Sequence, residues 1–283
     1  QQRNIILLLI RITCSIMLLG HAWECLRWET NLGNVLLDPS GFGKVLAWYF
    51  DTSLHQLYSN RLAENFVLGV DHSFGIIFII AAISAVFIKQ HSRFLKWPLH
   101  FAAICLTIIV FSSFYSKNFY IGILLENAAQ ILTPVILIYI TRNNNNRRLV
   151  GLMKWSIAFT FFGHGLFAVG YYPQPGYFID MMIKGFDIHE TLARNVLIVF
   201  GILDFIFAIS IFIPKLLSAA LIYGILWGFI TAIARITTSF NTDFLDNWIE
   251  QYLFAFMIRV PHFLIPLILW IEHRKSVNSP SSQ

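Results

Sequence analysis

The chain contains a series of long apolar runs, and no other feature limits its folding so strongly. Eight stand out, at residues 5–25, 66–88, 97–114, 119–140, 150–169, 195–213, 216–236 and 252–271. A helix needs about 20 mostly apolar residues to cross the hydrocarbon of a bilayer. The expected fold is therefore an all-α integral membrane protein of about eight transmembrane helices. Composition points the same way. Of 283 residues, 57% are hydrophobic and only 12% charged, with 27 Phe, whereas soluble domains carry about a quarter charged residues. Such a chain has too little polar surface to cover a water-soluble globule, and the bilayer is its natural solvent and first partner.

The charges lie in the breaks between runs and set an orientation. One set of breaks is basic: Arg3; Lys89, Arg93 and Lys96; Arg142, Arg147 and Arg148; Lys215; Arg274 and Lys275. The alternate set is longer and more acidic: Glu29, Asp38 and Asp51; Asp180, Asp187 and Glu190; Asp243, Asp246 and Glu250. Basic loops stay on the cytoplasmic side, so both termini are expected there, and in a bacterium the acidic loops face the periplasm across the inner membrane. The net charge of +5 is spread over these breaks rather than gathered with aromatics on a polar face, so no nucleic-acid partner is implied. The first run lacks a small-residue cleavage site and continues into His21, Trp23 and Trp28. It reads as a retained helix rather than a signal peptide.

The stretch 141–148 (TRNNNNRR) is polar, basic and close to the midpoint. It divides the chain into residues 1–141, a cytoplasmic linker at 142–149, residues 150–272 and a tail at 273–283. The two halves share ordered elements. Gly20-His21 and Gly163-His164 close the first run of each. Pro- and Gly-containing loops follow, then short aromatic amphipathic stretches at 42–50 and 177–186. Leu62-Ala63-Glu64-Asn65 and Leu192-Ala193-Arg194-Asn195 come next, and Leu132-Thr133-Pro134 and Leu264-Ile265-Pro266 lie in the fourth runs. This order predicts two parallel four-helix repeats, related by an axis along the membrane normal.

Ionisable groups within spanning helices are costly and are functional candidates by default. They are His21, Asp71, His72, Glu126 with Gln130, His164, Asp204, Arg235, Arg259 and His262. The orientation above places nearly all of them in the periplasmic half of the membrane. Glu126 and Gln130 are spaced to share a helix face, as are Arg259 and His262. Pro134 and Pro266 follow these polar turns, where a proline frees a carbonyl and kinks the helix. Asp204 needs a partner, and Arg235 or Arg259 is the natural one. The repeated Gly-His makes His21 and His164 candidate metal or haem ligands, since imidazole binds metal, haem or a proton. The competing reading of each residue is an interhelical hydrogen-bond network with no ligand at all.

Other signatures are missing from the sequence. It has no GxGxxG, P-loop, HExxH, GxSxG or membrane di-iron His-box motif. Cys14, Cys25 and Cys105 form no CxxC pair.

The second half resembles the DoxX-like group of small bacterial membrane proteins, whose unit is a four-helix bundle that is duplicated in some members. Gly163-His164-Gly165-Leu166-Phe167-Ala168 carries the resemblance. So do Gly201 to Ala208, Trp227-Gly228 through Thr231-Ala232 to Arg235, and Arg259-Val260-Pro261-His262 through Pro266-Leu267. The first half matches through Arg11, Gly20 and the Leu-x-Pro of its fourth run. The resemblance implies a subunit of a quinone-linked or other membrane redox assembly, with other membrane subunits as partners and quinone or haem as the group bound. A small-solute or ion transporter and a non-catalytic subunit of a larger complex are the alternatives.

Overall fold

The apolar runs do become helices. The computed structural model describes residues 2–90, 92–142 and 146–278, and among these every regular element is helical. The first half contains α1 (Gln2–Arg27), α2 (Leu32–Leu36), α3 (Gly43–Tyr49), α4 (Leu54–Leu57), α5 (Arg61–Phe87), α6 (Lys96–Ser116), α7 (Ile121–Glu126) and α8 (Ala128–Arg142). The second contains α9 (Asn146–Ala168), α10 (Gly176–Phe186), α11 (Glu190–Ser210), α12 (Leu217–Thr237), α13 (Leu245–Met257) and α14 (Val260–Asn278). Residues 143–145 of the linker and 279–283 of the tail lie outside the described residues.

Seven stretches are long and apolar enough to cross a membrane, counting α7 with α8 and α13 with α14 as one each. The chain is thus an integral membrane protein. The remaining long helix, α9, has 23 residues but carries Lys154 and His164 within it, and it is not among the seven. Large apolar side chains such as Leu8, Ile83, Ile104, Val199 and Ile222 are exposed on the outer faces of their helices. In water such faces would be penalised, whereas against lipid tails they meet a solvent of their own polarity. The main apolar core runs through both halves, from Ile10, Met17 and Phe78 to Ile157, Leu221 and Ile265, with smaller clusters such as that of Ile179, Met182, Ala193 and Leu197 beside it.

Helix boundaries follow local chemistry. Asn60 caps α5, its Oδ1 accepting from Leu62 N–H at 2.8 Å and from Ala63 N–H at 3.4 Å, which satisfies amides the helix cannot use. At the other end of α5, the Arg11 guanidinium donates to the Ile88 carbonyl. Arg11 thereby ties α1 to the end of α5. In the loop after α2, Asp38 accepts from the Ser40 hydroxyl at 2.7 Å, from the Ser40 amide at 3.0 Å and from the Tyr115 hydroxyl. Those bonds, the Ser40 hydroxyl's foremost, hold its carboxyl below the usual carboxylate range.

The fourth run of each half is not one helix, contrary to expectation. α7 stops at Glu126, and Asn127 turns back to donate from Nδ2 to the Ile123 carbonyl at 2.8 Å. Asn favours such local bonds over continuing a helix. The freed Ala129 amide donates to Thr160 Oγ1 of α9 at 2.9 Å. In the second half the break falls at Ile258-Arg259. Pro261 follows, and its missing N–H is tolerated only in the first turn of a new helix. Pro134 and Pro266 were expected to mark the kinks. They lie inside α8 and α14, while the chain breaks earlier, at the same place relative to each proline.

The packing partners are these. α1 lies against α5, and α9 against α11; α6 lies against α8, and α12 against α14. Between the halves, α1 packs on α13 and α14, and α9 packs on α7 and α8. The glycine of each Gly-His makes this crossing close. A Cβ at Gly163 would stand 2.4 Å from the Glu126 amide nitrogen, and one at Gly20 would stand 2.9 Å from Met257 Cβ. Only glycine lets the backbones approach so far.

Candidate functional site

The polar residues do not form one site. They form two groups, each built around the histidine of a Gly-His pair.

The first group is closed. His21 Nε2 lies 2.9 Å from Gln130 Oε1, and Nδ1 lies 3.1 Å from Glu24 Oε2. A neutral imidazole donates from one nitrogen only, so the Gln130 amide turned to present its NH2 completes both bonds. Asp71 of α5 stands apart from this histidine. Its carboxylate accepts from the Thr30 hydroxyl at 2.6 Å and from the Thr30 amide at 3.3 Å. His72 does not join either group: it is exposed on the outer face of α5. It directly follows Asp71, and on a helix adjacent residues face different ways.

The second group lines a cavity of about 230 Å3, enclosed by α9, α10, α11, α12 and the start of α14. His164, Asp204, Arg235, Arg259 and His262 all contribute to its wall. The rest is mostly apolar apart from Thr231, Thr237 and Thr238, and includes Phe161, Phe178 and the stacked pair Phe200 and Trp227, whose centroids are 3.8 Å apart. The amphipathic α10 closes one side with Met181, Met182 and Phe186.

Geometry within the second group departs from expectation in two ways. Glu126 and Gln130 were expected on one face, but the break at Asn127 sends them apart. Gln130 serves His21, while Glu126 crosses to the second half and stands 3.5 Å from His164 Nδ1. That distance is an ionic contact rather than an aligned hydrogen bond, and His164 Nδ1 has no hydrogen-bond partner among the described residues. Asp204 was expected to pair with Arg235 or Arg259. Instead its Oδ1 accepts from the Tyr223 hydroxyl at 2.8 Å. Tyr223 lies within hydrogen-bonding reach across α11 and α12, so a neutral donor meets the acid. Arg235 instead lies over the Tyr177 ring of α10, 4.7 Å from its centroid.

His262 is the outlier of the set. It is only 3% exposed, its ring lies 5.3 Å from that of His164, and neither ring nitrogen has a partner among the described residues. Most buried polar groups in proteins are satisfied, so such an orphan calls for an explanation. Metal ligation by the histidine pair finds no support: His21 and His164 have different partners, and no group of three or more His, Cys, Asp and Glu suited to a metal occurs among the described residues.

Relative to Pro134 and Pro266, the two groups correspond residue by residue. Gln130 stands where His262 stands, Asn127 where Arg259 stands, and Ile258 where Glu126 stands. The first version is satisfied internally and the second is left open.

Tyr223, Tyr177 and Thr30 were not singled out in the sequence. Tyr223 is the one with a legible signal, a phenol inside an apolar run that must find a partner when buried. No protein-family model, curated protein or solved structure matches this chain.

Proposed function

We propose that this chain is an eight-span protein of the bacterial inner membrane that holds a small lipophilic molecule in its second half. It is read as two parallel four-helix repeats with both termini cytoplasmic and α9 as the eighth span. The corresponding packing pairs, the matched breaks in the two fourth runs and the Gly-His contacts support the repeat. The placement of α9 between α7, α8, α11 and α14 supports its spanning role. On this topology the cavity lies toward the periplasmic side.

The observation that carries the binding role is His262, buried at the cavity wall with both nitrogens unused. An apolar cavity with a few convergent polar groups is the usual form of a small-molecule site. A ligand that hydrogen-bonds His262 and packs on Phe200 and Trp227 fits that description. A quinone-type ring is one such ligand, which is where the DoxX-like resemblance and a redox-assembly role enter the proposal. The test is mass spectrometry of molecules extracted with the purified protein, compared between wild type and Ala234→Trp, which fills the cavity. A lipophilic molecule retained by wild type and absent from the variant is expected. The same molecules in both would refute the site.

A transporter is the second reading, and the broken fourth runs favour it. Discontinuous helices beside polar side chains are how many transporters build substrate sites. Solute flux into liposomes that depends on Asp204, as read with Asp204→Asn, separates it from a binding role.

A further inference from the structure

We propose that the cavity of the second half takes an amphipathic anion: a carboxylate or phosphate head between Arg235, Arg259 and His262, with a hydrocarbon tail leaving between α10 and α12. The proposal rests on the cavity being a ligand site and names what that site would recognise.

The charge inventory drives it. Arg235 and Arg259 both line the cavity, and neither has a carboxylate within ion-pair distance among the described residues. Arg235 Nε is buried without a hydrogen-bond partner. A guanidinium held inside a membrane protein without an ion-pair partner carries a desolvation cost, which the Tyr177 ring under Arg235 offsets only in part. The acids nearby do not supply that charge. Glu126 is directed at His164, and Asp204 at Tyr223. A neutral head group on the ligand would leave both arginines as they are. A carboxylate or phosphate offers each a charge-assisted bond and accepts a third from His262, which has both nitrogens free and 97% of its surface covered, being 3% exposed.

The tail follows from size and exposure. At about 230 Å3 the cavity lies below the range of about 300–1,000 Å3 that encloses a drug-sized molecule. It therefore holds a head group and the first part of a chain. Two lining residues also face outward: Phe186 is 63% exposed and Ile230 is 47% exposed. These apolar side chains, with Thr237 and Thr238 beside them, border a route from the cavity into surrounding lipid. The first-half counterpart lacks the recognition elements, because Asn127 and Gln130 stand where Arg259 and His262 do and Gln130 is already bonded to His21.

Native mass spectrometry of the full chain in nanodiscs of zwitterionic lipid tests this, with dodecyl phosphate, dodecanol and inorganic phosphate as probes. One dodecyl phosphate per chain is expected. Arg259→Gln and Arg235→Gln should each weaken it about tenfold or more, and Arg259→Lys should retain much of it. Thermal unfolding of Arg259→Gln should match wild type, since its guanidinium forms no ion pair among the described residues, and Arg235→Gln should lose no more than the contact with the Tyr177 ring. Inorganic phosphate that competes with the same arginine dependence supports the anion site and identifies a free anion as its occupant. Dodecanol binding as tightly as dodecyl phosphate, with no effect of either arginine, overturns the anion assignment while the pocket stands. Binding of none of the probes, with Ala234→Trp indistinguishable from wild type, overturns the pocket and the proposal together.

Discussion

Replacing Gly163 by Ala is the sharpest test of how the two halves are joined. The new methyl carbon would lie 2.4 Å from the Glu126 amide nitrogen, and 2.9 Å from both Glu126 Cα and the Gly122 carbonyl oxygen. Comfortable contacts lie at about 3.5 Å or more, so α9 and the end of α7 must part by about 1 Å. All three neighbours are backbone and cannot swing aside. Overpacking of this kind costs about 1–3 kcal/mol. Alanine returns up to about 1 kcal/mol of helix propensity, which leaves a net loss of up to about 2 kcal/mol at full return. Gly151, on the same helix, is the control. A Cβ there meets nothing within 4 Å, so Gly151→Ala should be neutral or stabilising by up to about 1 kcal/mol. Gly20→Ala should fall between the two, because Met257 and Ile258 offer side chains among its contacts at 2.9 Å. Equilibrium unfolding in mixed detergent micelles, followed by far-UV circular dichroism, measures all three. Gly163→Ala as stable as Gly151→Ala would show that α9 and α7 are not in backbone contact. The pairing of Glu126 with His164 would then lose its basis as well.

Three further outcomes are expected. Tyr223→Phe removes the hydrogen-bond donor to the buried Asp204 and should cost about 1–3 kcal/mol; the double change Tyr223→Phe with Asp204→Leu should recover most of it in the same unfolding assay. His262→Phe should leave stability within about 0.5 kcal/mol of wild type or raise it, because a buried group without partners loses no bond on becoming apolar. The same change should abolish retention of the co-purified ligand, and a large loss of stability instead would make His262 a structural residue. Asp38, in the outer loop, has its carboxyl held below the ordinary range. Its contribution is therefore complete above the ordinary carboxylate pKa and lost as pH falls through the lowered value. Protection of the Ser40 amide, measured against its intrinsic exchange rate at each pH, should fall on acidification below about pH 4, and Asp38→Asn should flatten that dependence.

Much of the fold was legible because a bilayer imposes a simple rule on sequence. The length of the apolar runs and the scarcity of charge within them identify the spanning helices without reference to packing. α5, α6, α11 and α12 lie close to where the runs place them. The amphipathic stretches at 42–50 and 177–186 likewise appear as α3 and α10. The list of buried polar residues was also readable, since any ionisable group in such a run stands out. What could not be read was their pairing. Glu126 and Gln130 share a helical spacing, yet a one-residue break at Asn127 assigns them to different histidines. Asp204 meets a phenol rather than a guanidinium, because the packing of α11 on α12 decides which side chain is within 3 Å, and apolar periodicity carries no record of that.

The repeated Gly-His shows where the division falls. The sequence by itself determined that these two sites exist, that each lies in a long apolar run and that glycine admits a close neighbour there. Only the tertiary structure decided that the neighbour is the broken fourth run of the opposite half. It also decided that one histidine is fully bonded while the cavity beside the other keeps His262 without a hydrogen bond and Arg235 and Arg259 without an ion pair among the described residues. The physical reason is range. Membrane insertion depends on the composition of one segment at a time, whereas hydrogen bonds and ion pairs form or fail within a few ångströms between segments more than a hundred residues apart.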